Sequence, residues 1–292
     1  MGFLFIGAII ISFSAIFVKF AATEPDVTAF YRVFFACLGL GVIQFIRRKP
    51  FLSGKDSWFY MTICSAAFVV DLACWHRSII YVGPGLATLL GNFQAIFLTA
   101  LTIVWFKEKL SFRFVAAIIL AISGTAMITG LDWSGYSPDY AKGIMYGLVT
   151  AVFYTIYILA LKKTLMLEKE KNNGADSTAA MTAMCLLTSL MFLGKIGASD
   201  LPLAIPDTYT LLSLLSLGLV CQLGGWVLIS RGLTQVKPAV AGLILLLQPT
   251  LSFTWDVLLF HRPFGIMEAV GGALALTGVY LGSQSGSADS GK

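Results

Sequence analysis

The sequence has very little charge for its length. Only 12% of its 292 residues are Asp, Glu, Lys or Arg, and 58% are hydrophobic, whereas soluble domains contain about 25% charged residues. The apolar residues are spread along the whole chain, so a larger buried core does not account for them. The composition therefore predicts a multi-pass membrane protein.

The residue types that several kinds of site require are scarce as well. The chain has five Cys and two His residues, and each Cys stands singly in an apolar run, so we expect no disulfide framework and no metal site. The sequence patterns of nucleotide-binding loops, zinc proteases and serine hydrolases are missing. We therefore expect no cofactor and no enzyme activity. The positive net charge is scattered over short loops, so we expect no nucleic-acid partner.

Ten segments are long and apolar enough to cross a bilayer as helices. One crossing needs about 20 mostly apolar residues, and barrel strands would be shorter and would alternate in polarity. The predicted spans are 2–22, 28–46, 57–81, 84–106, 111–131, 141–162, 177–197, 209–232, 237–260 and 263–283.

Lys and Arg residues set the expected orientation of these spans. With the N-terminus inside, most of the 20 Lys and Arg residues fall in the inner loops, and cytoplasmic loops are the ones enriched in these residues. We therefore predict a protein of the cytoplasmic (inner) membrane whose N and C termini are both cytoplasmic. The Gly- and Ser-rich segment 284–292 is predicted to be a disordered tail.

Residues in two parts of the chain match at a constant offset of 154 positions. At this offset, predicted spans 3–5 correspond in sequence to predicted spans 8–10. Because five spans per half is an odd number, the second half would enter the membrane from the opposite side. We predict a five-helix repeat over 1–136 and an inverted one over 137–283, an arrangement associated with alternating access; the alternative is a duplicated scaffold without transport. The matched pairs are Arg77/Arg231, Val82/Val236, Pro84/Pro238, Ala87/Ala241, Leu89/Leu243, Gln94/Gln248, Phe106/Phe260, Leu120/Leu274, Ala121/Ala275 and Gly124/Gly278.

Two stretches resemble a pattern in which a Pro opens a span, small residues and a mid-span Pro follow, and an acid lies at the end of the span. They are "GPGLATLLGNFQAIFLTALTIVWFKEKL" and "KPAVAGLILLLQPTLSFTWDVLLFHRPF". Together with the ten spans in two halves, they resemble the drug/metabolite transporter superfamily, EamA type. The resemblance implies a ten-helix bundle with a central cavity lined largely by spans 1, 3, 4, 6, 8 and 9, and export or exchange of small metabolites. Ala95 stands where the mid-span Pro would lie, and Arg262 stands where the first half has Glu108, so we expect the halves to be unequal.

Asp71 is the polar residue of most interest. A carboxylate near the middle of a span is costly and usually faces a cavity or a partner. Trp75 follows one helical turn later on the same face, so we expect the two residues to bind a cationic group or a proton. The alternative for Asp71 is an ion pair with Arg32 of span 2. His76 is either an interfacial residue or a titrating group.

Gln94 and Gln248 are matched by the repeat and lie near mid-depth of their spans. Their amides either hold a substrate from two sides or join helices. Pro249 removes a backbone donor, so it is expected to break span 9 beside a cavity. The remaining predicted substrate-binding residues are Tyr154, Tyr157, Gln222, Trp226 and Asp256, and Arg32, Arg77, Pro249 and Arg231 are predicted structural or gating residues.

These features predict an all-α membrane protein with ten transmembrane helices in two inverted five-helix repeats. We expect a secondary transporter that exports small polar or amphipathic metabolites such as amino acids or amines, because an acid beside aromatic rings suits an ammonium group. Its expected partners are the lipid bilayer and a small-molecule substrate, with proton coupling as a further expectation. Small residues in spans 5 and 10 predict close helix contacts, either inside the chain or in a homodimer. A membrane-embedded enzyme and a channel are the alternatives.

Overall fold

The structure is a computed structural model that describes residues 1–47, 51–52, 54–104, 111–129, 137–172, 177–260 and 265–288. Every regular element within these ranges is helical. A π-helical segment, Ser216–Gly225, joins α9 to α10. The α-helices are α1 (Gly2–Ile11), α2 (Ser14–Phe20), α3 (Pro25–Arg47), α4 (Lys55–Asn92), α5 (Gln94–Val104), α6 (Phe112–Thr129), α7 (Pro138–Asn172), α8 (Ser177–Ala198), α9 (Thr208–Leu215), α10 (Trp226–Leu233), α11 (Pro238–Leu245), α12 (Leu247–Phe260) and α13 (Ile266–Ala288).

The helices provide a counterpart for each predicted span. Within the described ranges, seven stretches are long and apolar enough to cross a membrane, and two shorter apolar helices, Phe112–Met127 and Ile266–Gly282, accompany them. One of the seven, Lys55–Leu101, has 47 residues, about twice the ~20 that one crossing needs, and contains the predicted spans 57–81 and 84–106. The prediction of an all-α, multi-pass membrane protein is thereby confirmed.

Gly83 separates the two crossings of this long stretch. Its backbone has a φ of 81° and a ψ of 163°, a conformation that Gly adopts far more readily than residues with a side chain. The chain on both sides of Gly83 packs against α7, since Val82 lies against Gly143 and Leu90 lies against Gly147. A single glycine thus lets two consecutive crossings share one neighbouring helix.

The two predicted halves contact each other through matched helices. In the order of the predicted spans, α3 packs against α8 (spans 2 and 7), α5 against α11 (4 and 9) and α6 against α13 (5 and 10). α1 packs against the π segment and α10 (1 and 8), while α4 packs against α7 (3 and 6). Two units related by a two-fold axis would give these pairs. The division at residues 136 and 137 stays a prediction.

The small residues of spans 5 and 10 lie in one of these contacts. A Cβ atom at Gly124 would lie 2.4 Å from the backbone nitrogen of Ala275, and one at Gly278 would lie 2.6 Å from the carbonyl oxygen of Ala117. The backbones of α6 and α13 therefore approach so closely that a methyl group does not fit between them. The small residues of α6 and α13 therefore pack against each other within one chain. A homodimer through these two helices would have to use their other faces.

Polar contacts join the helices at two opposite ends of the bundle. At one end, the carboxylate of Asp26 accepts hydrogen bonds from both terminal nitrogens of Arg77 at 2.7 Å and from Lys195 Nζ at 3.0 Å. At the other end, the amino group of Met1 donates to Gln235 Oε1 at 3.2 Å. The first group is predicted to lie outside and the second inside, so the structure sorts them as the predicted topology requires. Which end faces the cytoplasm stays a prediction.

The C-terminal helix extends further than predicted. α13 continues to Ala288, whereas the sequence analysis placed a disordered tail from residue 284 onward. The start of the predicted tail is therefore helical in backbone.

Candidate functional site

A cavity of about 50 Å³ lies between helices of both predicted halves. Its walls come from α1, α2, α3, α4, α7, α10 and α12, which contain predicted spans 1, 2, 3, 4, 6, 8 and 9. The family resemblance implied all of these except span 2, which contributes Arg32. The volume is well below the ~300–1,000 Å³ of pockets for drug-sized ligands, so a metabolite needs the helices to move apart before it fits.

Three of the cavity-lining spans are broken beside the cavity. α1 gives way to α2 at Ser12 and Phe13, α4 to α5 at Phe93, and α11 to α12 at Leu246. Broken helices at membrane depth are tolerated where the backbone is buried in protein or lines a cavity. Span 9 breaks at Leu246, three residues before Pro249, and span 4 breaks at Phe93 with no proline beside the break, so proline is not the general cause.

A fourth irregularity is the π-helical segment in span 8. π-helical turns are rare and frequently occur at functional sites. Gln222 lies in this segment, and its Oε1 accepts a hydrogen bond from Arg32 Nε at 2.8 Å. Trp226, the first residue after the segment, lines the cavity. The segment thus links α3 to the cavity wall.

Arg32 and Asp71 place opposite charges on the cavity wall. Arg32 is 3% exposed and Asp71 is 6% exposed, and both line the cavity. The Arg32 guanidinium carbon lies 5.8 Å from the ring centroids of both Phe68 and Trp75. Among the described residues, no side chain is hydrogen-bonded to the Arg32 terminal nitrogens or to the Asp71 carboxylate. The direct ion pair considered as the alternative for Asp71 is therefore not formed.

Several neutral polar atoms of the wall have no partner. Thr88 Oγ1, Asn92 Oδ1 and Trp226 Nε1 are buried, and none makes a hydrogen bond within the described part of the chain. Asn92 Nδ2 donates to the carbonyl oxygen of Thr88 at 2.8 Å, so the Asn92 amide presents a free acceptor. Buried polar groups are usually paired, so these atoms point to a polar ligand or water in the cavity.

The helices of the predicted second half contribute a neutral polar and aromatic wall. Gln248 Nε2 donates to the Tyr154 hydroxyl at 3.3 Å, and the rings of Tyr154 and Trp226 meet edge to face with their centroids 5.9 Å apart. The cavity thus brings together Asp71, Trp75, Tyr154, Trp226 and Gln248 of the predicted substrate-binding residues.

Four other predicted substrate-binding residues do not line the cavity. Gln94 Nε2 donates to the carbonyl oxygen of Gly242 at 3.3 Å, which joins α5 to α11, so the structure shows the helix-joining alternative. Tyr157 is fully buried, and its ring stacks on another aromatic ring at a centroid distance of 4.4 Å. His76 Nδ1 pairs with the backbone carbonyl of a neighbouring helix at 2.9 Å. Gln222 contacts Arg32 behind the wall.

The remaining predicted residues have other positions. Arg77 binds Asp26, Arg231 lies in the last turn of α10, and Pro249 lies in the first turn of α12. Asp256 is part of α12, but its side chain lies outside the described part of the structure.

Sequence reasoning missed Thr88 and Asn92 as cavity residues and treated Arg32 only as structural. A signal for the first two was present, because they are polar residues four positions apart in an apolar span and therefore share one helix face. A comparable signal for Arg32 was absent, since its position depends on how α3 packs against span 8.

Broken helices around a buried cavity are typical of helical transporters. The chain belongs to the EamA-like transporter family, whose sequence model matches residues 1–130 and 141–284. This membership confirms the resemblance stated from the sequence. It also confirms the expectation that the chain belongs to a family of transporters and not to a family of enzymes.

Individual relatives are distant. The chain is 24% identical over 149 residues to a protein of Escherichia coli (strain K12) named "Uncharacterized inner membrane transporter YhbE", an alignment that covers 49% of this chain and 46% of the relative. It is 23% identical over 196 residues to an "Uncharacterized transporter" of Methanothermobacter thermautotrophicus, covering 67% and 55%. The chain thus spans about half the length of these curated relatives.

A solved crystal structure shares the fold. Its chain superposes with a TM-score of 0.79 at 15% sequence identity, covering 98% of this chain and 97% of the other. At this identity the likeness concerns the fold alone.

Proposed function

We propose that this protein is a secondary transporter that moves small polar or amphipathic metabolites across the cytoplasmic membrane by alternating access. The observation that supports this most is the cavity, which combines two opposite charges with unpartnered polar atoms. Its walls come from broken spans of both halves. Proteins named as transporters among the relatives, one of them an inner membrane transporter, also support it.

The proposed motion is a rearrangement of residues 1–136 against 137–283, the second half being inverted relative to the first. The cavity of about 50 Å³ is then a contracted state, which opens when the paired helices of the two halves separate at one end. We assign the cytoplasm to the end that carries Met1, because the predicted loops at that end are rich in Lys and Arg.

The proposed substrates are amino acids or amines, and the proposed direction is export. The carboxylate of Asp71 would bind the ammonium group, and the aromatic rings of Trp75, Tyr154 and Trp226 would add cation–π attraction. Asp71 is also our candidate for proton coupling, because ionisable groups inside membranes commonly mark proton pathways.

The test is transport by the purified protein in liposomes, with a panel of amino acids and amines and an imposed pH gradient. Counterflow, in which unlabelled substrate inside speeds entry of labelled substrate, distinguishes a carrier from a channel. We expect counterflow for one class of compound, its loss in Asp71→Asn, and its retention in Tyr157→Phe, a matched variant behind the cavity wall. Flux without counterflow would favour a channel, and flux unaffected by Asp71→Asn would remove Asp71 from the site.

A further inference from the structure

We propose that Arg32 is the anion-binding group of this cavity, that it binds a carboxylate of the transported molecule, and that Gln222 positions it. The inference rests on the proposed function, because it assigns a ligand chemistry to part of the same cavity.

The first argument is that Arg32 has no hydrogen-bonded counter-ion among the described residues. A guanidinium stays charged in proteins, and a charge inside a membrane protein is retained where it has a partner or a function. Arg32 is 3% exposed, yet its only hydrogen bond within the described ranges goes to the neutral amide of Gln222. Asp71 lines the same cavity, but no hydrogen bond within the described ranges joins it to Arg32. An anionic ligand would supply a counter-ion in direct contact with the guanidinium.

The second argument is the geometry of the guanidinium. Because Nε is committed to Gln222 Oε1 at 2.8 Å, the end formed by the two terminal nitrogens remains for a ligand. That end presents parallel N–H groups that match the two oxygens of a carboxylate. The rings of Phe68 and Trp75, each 5.8 Å from the guanidinium carbon, leave little freedom for the group to turn away.

The third argument is the position of Gln222. It belongs to the π-helical segment that packs on α3, where a Cβ atom at Gly218 would lie 3.0 Å from the carbonyl oxygen of Arg32. The segment therefore packs against the α3 backbone at Gly218 and places the Gln222 amide against the Arg32 side chain. Gln222 does not line the cavity, so its effect on a ligand passes through Arg32.

The experiment compares ligand pairs that differ only in a carboxylate. Phenylalanine is compared with phenethylamine, and leucine with isoamylamine, by binding to the full chain in nanodiscs. We expect the carboxylate to tighten binding about tenfold or more in the wild type, as a charge-assisted hydrogen bond does. The advantage should vanish in Arg32→Gln, shrink in Gln222→Leu, and persist in Gln94→Leu, an amide that joins helices away from the cavity. No carboxylate advantage in either pair, or one that survives Arg32→Gln, would overturn the inference.

The melting temperature of the ligand-free protein separates a binding role from a structural one. Arg32→Gln should leave the melting temperature unchanged or raise it, because the variant replaces a buried charge that has no hydrogen-bonded counter-ion by a neutral amide. If Arg32→Gln lowers it and Asp71→Asn in the same chain restores it, the two residues form a structural pair and Arg32 is not a ligand group.

The inference and the proposed function fail in different ways. Counterflow of amines that does not depend on Arg32 would leave the transporter standing and overturn the inference. Arg32-dependent carboxylate binding without any flux would support the anion site and overturn the transporter.

Discussion

Replacing Asp26 by Asn should destabilise the protein, because this carboxylate ties three helices together. It accepts two hydrogen bonds from Arg77 on α4 and one from Lys195 on α8, while it lies at the start of α3. The Asp26 side chain is 3% exposed. The amide of Asn would keep the shape but would lose the charge and one acceptor oxygen.

The size of the effect follows from the exposure of the partners. A hydrogen bond to a charged group contributes about 1.5–3 kcal/mol, and breaking a buried ion pair costs about 3–5 kcal/mol. The side chains of Arg77 and Lys195 are 29% and 39% exposed, so water partly replaces the lost partner. We therefore expect the free energy of unfolding to fall by about 2–4 kcal/mol.

The assay is denaturant unfolding in mixed micelles, followed by circular dichroism. The matched control is Asp139→Asn, since Asp139 pairs with Lys142 at 2.9 Å but their side chains are 66% and 56% exposed. An exposed pair contributes little, so the control should unfold like the wild type. Equal stability of Asp26→Asn and Asp139→Asn would refute the reasoning that burial makes the Asp26 cluster matter.

Three further outcomes are expected. Gly124→Ala should lower the free energy of unfolding by about 1–3 kcal/mol, because the added Cβ collides with α13. Gly272→Ala should leave it unchanged, because a Cβ at Gly272 would have nothing within 4 Å. Unfolding titrations of the two variants make the comparison. Tyr154→Phe removes the acceptor of the Gln248 amide and should lower the free energy of unfolding by about 1 kcal/mol. Tyr157→Phe should leave the free energy of unfolding unchanged in the same titration, because the Tyr157 hydroxyl has no partner among the described residues. Pro249→Ala should leave the ligand affinity, measured by calorimetry, within about twofold of the wild-type value. The reason is that span 4 breaks with no proline beside the break, so we expect span 9 to keep its break without Pro249.

The membrane fold was predictable because it depends on length and hydropathy. A bilayer imposes about 20 apolar residues on each crossing, so ten segments could be recognised one at a time. The stretch from Lys55 to Leu101 has the length of two crossings, and Gly83 and Pro84 mark the boundary between them in the sequence, although the helix is continuous there apart from Gly83. Helix pairing was less accessible, because it depends on contacts far apart in the sequence.

Helical spacing and the sequence repeat predicted part of the cavity. Asp71 and Trp75 lie one turn apart on one face, and both line the cavity. Gln94 and Gln248 look equivalent in the sequence, but their neighbours differ. Gln94 meets a carbonyl of α11, while Gln248 meets a tyrosine hydroxyl of α7. A sequence repeat fixes where an amide stands in its span and does not fix what it contacts.

Packing explains why the charges occur on one side of the cavity only. At the predicted repeat offset of 154 residues, Asp71 corresponds to Gly225, where a Cβ atom would lie 2.5 Å from the side chain of Ile11. The side chain of Ile11 on α1 occupies the space that a side chain at this position would need, so a carboxylate there would require Ile11 to shift. The predicted second half contributes Gln248 and Trp226 to the wall instead. For the proposed transporter we therefore expect a ligand with charged groups to bind in one orientation, with these groups toward Arg32 and Asp71 and its remainder toward Gln248.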